Sequence, residues 1–305
     1  MEQDACRGLG FKKMCTLEDK ECRSDECKVC EGPAADVSSA RAPQHVPALP
    51  NQGDRVIWSG SPDNVDAQPP HFGKTEDGKD LRILIACAMM EDEVRAAWDK
   101  HGRGMRIMWV DRGYHEKPDT LRARLQELID EAERSGATQV ILAIGLCGNG
   151  AVGLVTKHAE LVMPRFDDCV NIMLQTGERT CRGLAQAGVM YLTRGWAHDA
   201  TMICGQYELY SRKYGERRAN RLMKAMWGAY KAVSLIDNGC YDLSDVQDYA
   251  NICANSIGVD VRVDPGSNDI IEKLMAGPWD EDILVCKPGQ PVMQEDFDDW
   301  DKKLV

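Results

Sequence analysis

Three cysteines, one histidine and one arginine occupy positions where residue type and spacing suggest chemistry. Cys87 closes the apolar run Leu81-Arg-Ile-Leu-Ile-Ala-Cys87, Cys147 sits in Gly145-Leu-Cys-Gly-Asn-Gly150, and Cys169 ends Pro164-Arg-Phe-Asp-Asp-Cys169. Thiolates from three separate segments suit zinc with an open fourth position, or an iron–sulfur cluster with one exchangeable iron. His115 is a candidate acid or base, or alternatively a surface-loop histidine. Arg194, in Tyr191-Leu-Thr-Arg-Gly-Trp196, offers a two-pronged grip on a carboxylate or phosphate, or else pairs with local acids. Gly145, Gly148, Asn149 and Gly150 would let a cofactor approach the backbone closely, with Asp168 and Trp196 as further contacts. Asp167, Asp168 and Cys169 also read as a helix N-cap and first turn. A thiol there would ionise more easily, which keeps nucleophilic catalysis by Cys147 or Cys169 open as a third chemistry.

The elements that must position these groups are regular from residue 81 onward. Leu81–Cys87 reads as a strand, Glu91–His101 as a helix and Met105–Val110 as a second strand. Pro118 starts a helix whose apolar face carries Leu121, Leu125, Leu128 and Ile129, and Gln139–Leu146 follows as a third strand. This β-α-β-α-β order predicts parallel strands with right-handed crossovers. Ligands of such open sheets collect outside the carboxyl ends of the strands, where the cysteines fall.

Glu160–Pro164 and Val189–Thr193 read as two further strands, and 206–233 as one long helix with Tyr210, Tyr214, Leu222, Met226 and Tyr230 toward the core. The strand–helix order then recurs: Lys231–Asp237, Val246–Ser256, Val259–Val263, Asn268–Met275 and Asp282–Cys286. Met105–Gly113 echoes Val259–Gly266, so the expected fold is α/β with two Rossmann-like lobes, mostly parallel sheets and an internal duplication. Chance resemblance between α/β segments is the competing account. The expected organisation is a cysteine-containing N-terminal segment at 1–31, a linker or strap at 32–79, a first lobe with the cysteine site at 80–200, and a long helix with the second lobe at 201–305.

Thirteen cysteines suggest metal, cluster or catalytic use more than disulfides if the compartment is reducing. Cys15, Cys22, Cys27 and Cys30 offer ligands for a second centre, with Cys27-Lys-Val-Cys30 the tight pair; a tail that binds nothing is the alternative. A net charge of −12 and the lack of a basic stripe with interleaved aromatics argue against nucleic acid as a partner. No apolar run reaches the about 18 residues of a membrane span, and the first residues lack signal-peptide character, so a cytoplasmic protein is expected. A nicotinamide site is disfavoured because no Gly-x-Gly-x-x-Gly follows the first strand.

Taken together, Ile85-Ala-Cys87, His115 with Pro118, Gly145–Gly150, Pro164–Cys169 and Tyr191–Trp196 resemble domain of unknown function family 1638 across roughly residues 80–293. Members are often encoded near corrinoid-dependent methyltransferases in anaerobes. The resemblance implies a setting in one-carbon metabolism and strengthens a shared metal or cluster site on Cys87, Cys147 and Cys169. The expected function is a metal- or iron–sulfur-binding protein of corrinoid methyl chemistry, enzyme or redox accessory. Its expected partner is a small-molecule substrate or a corrinoid or methyltransferase protein. The alternative is a metal-free, two-lobed small-molecule or corrinoid binder.

Overall fold

Short apolar strands alternating with amphipathic helices build two sheets in this protein. The structure, a computed structural model, describes residues 58–59, 81–102, 105–176, 184–197 and 203–298. The larger sheet is laid down by β1 (Trp58–Ser59), β2 (Arg82–Cys87), β3 (Arg106–Val110), β4 (Gln139–Ala143) and β5 (Glu160–Pro164), in the order β1-β3-β2-β4-β5, with the last strand of the chain added at the β5 edge. β3, β2, β4 and β5 are parallel, as the sequence order requires, and β1 pairs antiparallel with β3. Ile83 to Ala86 and Val140 to Ala143 are buried throughout, because helices cover both faces of a parallel sheet.

Two of those helices matter for the site. α1 (Glu91–His101) leads from β2 outward to β3, and α2 (Pro118–Arg134) leads from β3 back across β2 to β4. The connections leave β2 in opposite directions, to β3 on one side and through α2 to β4 on the other, so the topological switch point, where open α/β sheets form their ligand crevice, lies between the carboxyl ends of β2 and β4. α2 begins at Pro118 as expected, since proline lacks the N–H that the first helical turn leaves unused. A short α3 (Cys169–Met173) follows β5.

The smaller sheet contains β6 (Val189–Leu192), β7 (Ala232–Asp237) and β8 (Asp260–Pro265), all parallel in that order. A single turn, α4 (Arg194–Ala197), follows β6. Then come α5 (Ile203–Tyr214), α6 (Glu216–Trp227) and α7 (Ser244–Ile257). The one long helix expected over 206–233 is two, because Gly215 takes φ +78° and reverses the chain.

The expected internal repeat fails at its third strand. α8 (Asp269–Ala276) packs against α1, and β9 (Ile283–Cys286) pairs antiparallel with β5, so both belong to the larger sheet. A strand reached after α8 closes the exposed β5 edge instead of extending β8. The chain thus enters the smaller sheet at β6 and leaves after β8, and the exchange between sheets does not fall at residue 200. A four-residue α9 (Glu295–Asp298) ends the described part and buries Phe297. The cysteine segment 1–31, with the proposed centre on Cys15, Cys22, Cys27 and Cys30, lies outside the described residues, as does most of 32–79. Cys253 in α7 is disulfide-bonded, contrary to the expectation of reduced cysteines, whereas Cys87, Cys147, Cys169, Cys240 and Cys286 are free.

Candidate thiol site at the strand ends of the larger sheet

Cys87 is the last residue of β2 and is 1 % exposed. Its sulfur accepts from the Met89 backbone N–H at 3.4 Å, capping a 3-10 turn over Ala88–Met90. It also lies 3.1 Å from His115 Nε2. His115 is carried by a second 3-10 turn, Arg112–Glu116, which Asp111 caps by accepting from the Gly113 N–H at 2.8 Å. Burial lowers the His115 pKa, against the opposing pull of Asp111, so the ring is neutral near pH 7. Burial likewise pushes the Cys87 thiol up to about 12. The pair is therefore a thiol and a neutral imidazole, with the S–H free to donate to Nε2.

Cys147 stands beyond the end of β4, which stops at Ala143 and not at Leu146. Its backbone φ is +47°, followed by +62° at Gly148 and +70° at Asn149. Three successive left-handed residues, two of them not glycine, form a strained turn, because an L side chain in that conformation costs roughly 1–2 kcal/mol. The turn is held from both sides. Leu146 and Cys147 donate their N–H groups to the carbonyls of Phe166 and Asp167 at 2.9 and 2.7 Å, and Arg122 reaches the Asn149 carbonyl at 2.9 Å. Gly145 is required by packing: a Cβ there would stand 2.8 Å from the Asp168 backbone.

Cys169 opens α3, with Asp168 as the N-cap accepting from the Asn171 N–H at 2.8 Å. The helix-terminus reading of this stretch holds for Asp168, while Asp167 is exposed. The expected easier ionisation of Cys169 does not. Burial raises its pKa well above the ordinary thiol value, and the charges of Cys147 and Cys87 raise it further. One five-residue helix cannot offset removal of the thiolate from water. Cys147 is raised by burial too, and then by Cys87. Cys87, Cys147 and Cys169 follow β2, β4 and β5, which are neighbours in the sheet, so the three residues fall at one carboxyl edge. Among the described residues, however, no three His, Cys, Asp or Glu side chains stand in a geometry that would hold a metal ion as they are.

The turn that follows β6 of the smaller sheet packs against this region. Trp196 brings its indole N–H toward Cys169, where it favours the thiolate. That N–H is buried and completes no hydrogen bond of ordinary geometry. Gly195 presses on the larger sheet so closely that a Cβ would meet the Met89 carbonyl oxygen at 2.2 Å, and its own carbonyl accepts from Arg112 at 3.0 Å. Arg194 is engaged by acids: it forks onto Asp92 and reaches Asp245 at 3.3 Å. The local-acid reading of Arg194 therefore describes its position here, and gripping a substrate anion would require it to leave Asp92. Gly148 and Asn149 are exposed at the outer side of the turn, and Gly150 is buried against Leu121.

Sequence reasoning missed Glu93. It is 1 % exposed, accepts from Asn238 Nδ2 at 2.6 Å, and its backbone carbonyl accepts from Asn268 Nδ2 at 2.8 Å. Burial raises its carboxyl to about 7. An acid in a first helical turn ordinarily complements the helix dipole at the surface. The available signal was its spacing: Glu93 lies four residues before Ala97 on the face that α1 buries.

The model of the family described as Protein of unknown function (DUF1638) matches residues 109–275, more than half of the chain, and the chain belongs to that family. The match includes His115, Cys147, Cys169, Arg194 and Trp196; Cys87 lies before it. No curated protein and no solved structure is significantly similar to the chain.

Proposed function

We propose that this member of the DUF1638 family uses Cys87, Cys147 and Cys169 to hold a soft metal ion, zinc or the iron of an iron–sulfur cluster, at the β2/β4 crevice. The observation that carries this reading is the gathering of three thiols and a neutral imidazole beside a strained turn, at the point where the sheet topology opens a crevice. Thiolate and imidazole donors are the set that zinc and iron–sulfur centres take. Because the sulfurs do not stand ready to share an ion, binding requires their side chains to turn toward one another. A bound metal would supply Lewis-acid or electron-transfer chemistry at its open position. The protein's own groups would do the rest: His115 holds or accepts a proton beside Cys87, Trp196 directs an N–H at the Cys169 sulfur, and the lobe carrying Trp196 keeps water out. Service in cytoplasmic one-carbon or corrinoid methyl metabolism, with a small substrate or a corrinoid or methyltransferase protein as partner, rests on the family resemblance and belongs to this proposal.

The metal-free reading, a two-lobed protein closing on a small molecule or corrinoid, is favoured by one observation. Cys87 already has a neutral hydrogen-bond partner in His115, which satisfies both groups without an ion. Catalysis by a free thiolate is disfavoured, since burial keeps all three thiols protonated near neutrality.

Anaerobic purification of the full chain, with an absorption spectrum and metal and sulfide analysis of the same sample, separates these readings. A stoichiometric metal that disappears in Cys147→Ser and Cys169→Ser, but persists in a Cys27→Ser/Cys30→Ser variant, is the expected result. Full metal occupancy in Cys147→Ala would remove the assignment, and a colourless protein without metal would leave the binding-protein reading.

A further inference from the structure

The outer helices of the smaller sheet carry a concentration of charge opposite to the rest of the protein. α5 and α6 fold back at Gly215 and bury Ile203, Ala219 and Met223 inward. Between Ile203 and Trp227 there are 6 Lys and Arg and 2 Asp and Glu, a segment of +4 on a body of −16, which together give the chain's −12. Some of these cations have local employment: Arg212 pairs with Glu208, Lys213 lies 5.2 Å from the centre of the Tyr214 ring, and the Lys224 ammonium reaches Gly258 at the carboxyl end of α7. Arg217, Arg218 and Arg221 are exposed and, among the described residues, have no acidic partner.

The same hairpin exposes Leu209, Tyr214, Leu222 and Met226, at 59, 40, 39 and 51 %. Arg218, Leu222 and Met226 recur every four residues and so share one face of α6. Like charges at Arg217/Arg221 and Arg218/Arg221 spacings weaken an isolated helix, and exposed leucine and methionine gain nothing from water. Both costs are relieved by a surface that brings carboxylates and an apolar centre, and Arg, Tyr and Met are the residues that protein interfaces enrich.

We propose that the outer face of α5 and α6 docks an acidic partner protein, with its carboxylates on Arg217, Arg218 and Arg221 around an apolar contact at Leu222 and Met226. Nucleic acid offers the arginines phosphates but gives the aliphatic side chains no counterpart. An anionic membrane would take up the apolar side of α6, but that side, with Ala219 and Met223, is already buried in the protein.

The test uses the intact chain and two exposed variants, Arg217→Glu/Arg218→Glu/Arg221→Glu and Leu222→Ser/Met226→Ser, each checked for an unchanged thermal transition. Each is presented to a nuclease-treated lysate of the source cells, and the protein retained by the intact chain is then purified and titrated against all three. The expected result is an acidic protein whose affinity falls at least tenfold in the charge-reversed variant, falls in the serine variant, and weakens as salt rises from 50 to 300 mM. Equal affinity for the charge-reversed variant would overturn the proposal. So would a lysate from which the intact chain retains nothing that this variant loses. Preferential binding of the intact chain to a 30-base-pair duplex or to phosphatidylglycerol vesicles, lost in the arginine variant, would assign the face to those ligands instead.

Discussion

The carboxyl ends of the two sheets lie in the same region but carry opposite kinds of residue. The larger sheet ends in Cys87, in the strained Cys147 turn and, through α3, in Cys169. The smaller sheet ends in Arg194, Asn238 and Asn268, one after each of its three strands. Every one of those three side chains grips the first turn of α1: Arg194 at Asp92, Asn238 at the Glu93 carboxyl and Asn268 at the Glu93 carbonyl. The first set consists of poor hydrogen-bonding groups kept neutral by burial; the second consists of strong hydrogen-bonding groups engaged with the neighbouring sheet. Strand ends in an open α/β sheet are where ligands collect, and of the two sets the thiols, with Cys87 partnered by the nearby His115 and Met89, are the one not engaged in joining the sheets. The smaller sheet acts as a bracket that fixes the start of α1, directly after the strand that delivers Cys87.

If the thiols are ligands, the first set should respond to pH through proton displacement while the second should not. Burial lifts Cys87 to about 12, and Cys147 and Cys169 also titrate far above neutrality. A metal bound near pH 7 must then expel a proton from each thiol that becomes a ligand. With three thiolate ligands the affinity rises up to about a thousandfold per pH unit, on the order of 4 kcal/mol. Competition of zinc or cobalt(II) against a chromophoric chelator at pH 6.5 and 7.5 measures this slope. A slope near zero would exclude the thiols as ligands, and a slope near one would leave a single cysteine in the site.

The two sets also differed in how far they could be read from sequence. The positions of Cys87 and Cys147 were legible because each follows an apolar run, at the end of β2 and shortly beyond β4, and strand order determines which side of a parallel sheet those ends share; Cys169 follows the polar Asp167-Asp168 pair and was legible only as the start of a helix. The bracket was not. Glu93 looks like any first-turn acid, and only the partner elements β7 and β8, distant in sequence, reveal that it is enclosed. β9 was misplaced for a related reason: Ile283–Cys286 is strand-like by composition, but pairing with β5 or with β8 is decided by edge availability and by α8 lying on α1. Gly215 was hidden inside a continuous helical apolar pattern, and its left-handed backbone is a property of the reversal itself.

The bracket has its own titration. The Glu93 carboxyl moves from an ordinary 4.5 to about 7, mainly by burial, against stabilisation of its charged form by its own backbone N–H and Asn238. A raised folded-state value means that the folded protein holds this proton more tightly than the unfolded chain. The contribution is fully present below pH 4.5 and is lost as pH rises toward 7, by about 3 kcal/mol in all. Glu93→Gln keeps an acceptor for Asn238 and removes the ionisation. Urea unfolding of both proteins at pH 5 and 7.5 should show the wild type losing about 2 kcal/mol more than the variant over that interval, the remainder being lost already below pH 5. Equal losses would mean that Glu93 titrates as a surface acid and that the bracket is open in solution.

The smallest effects come from single methyl groups and distinguish a tight bracket from a merely strained turn. At Gly195 a Cβ would stand 2.2 Å from the Met89 carbonyl oxygen, a backbone atom with little freedom to retreat. Gly195→Ala should therefore prise the smaller sheet from the larger one, lowering stability by about 2 kcal/mol, within the range for overpacked interiors. Gly148→Ala makes only an ordinary van der Waals contact, with Pro118 Cγ at 3.8 Å, but it inherits a φ of +62°. Its cost is conformational only, about 1 kcal/mol. The Gly195 change should also disturb Trp196, the next residue, and so shift its fluorescence, whereas the Gly148 change acts on the Cys147 turn and should leave that signal alone. Chemical denaturation and tryptophan emission of the two variants test the ranking. A larger loss at Gly148 than at Gly195 would mean that the thiol turn, and not the bracket, is the tightly determined half of this region.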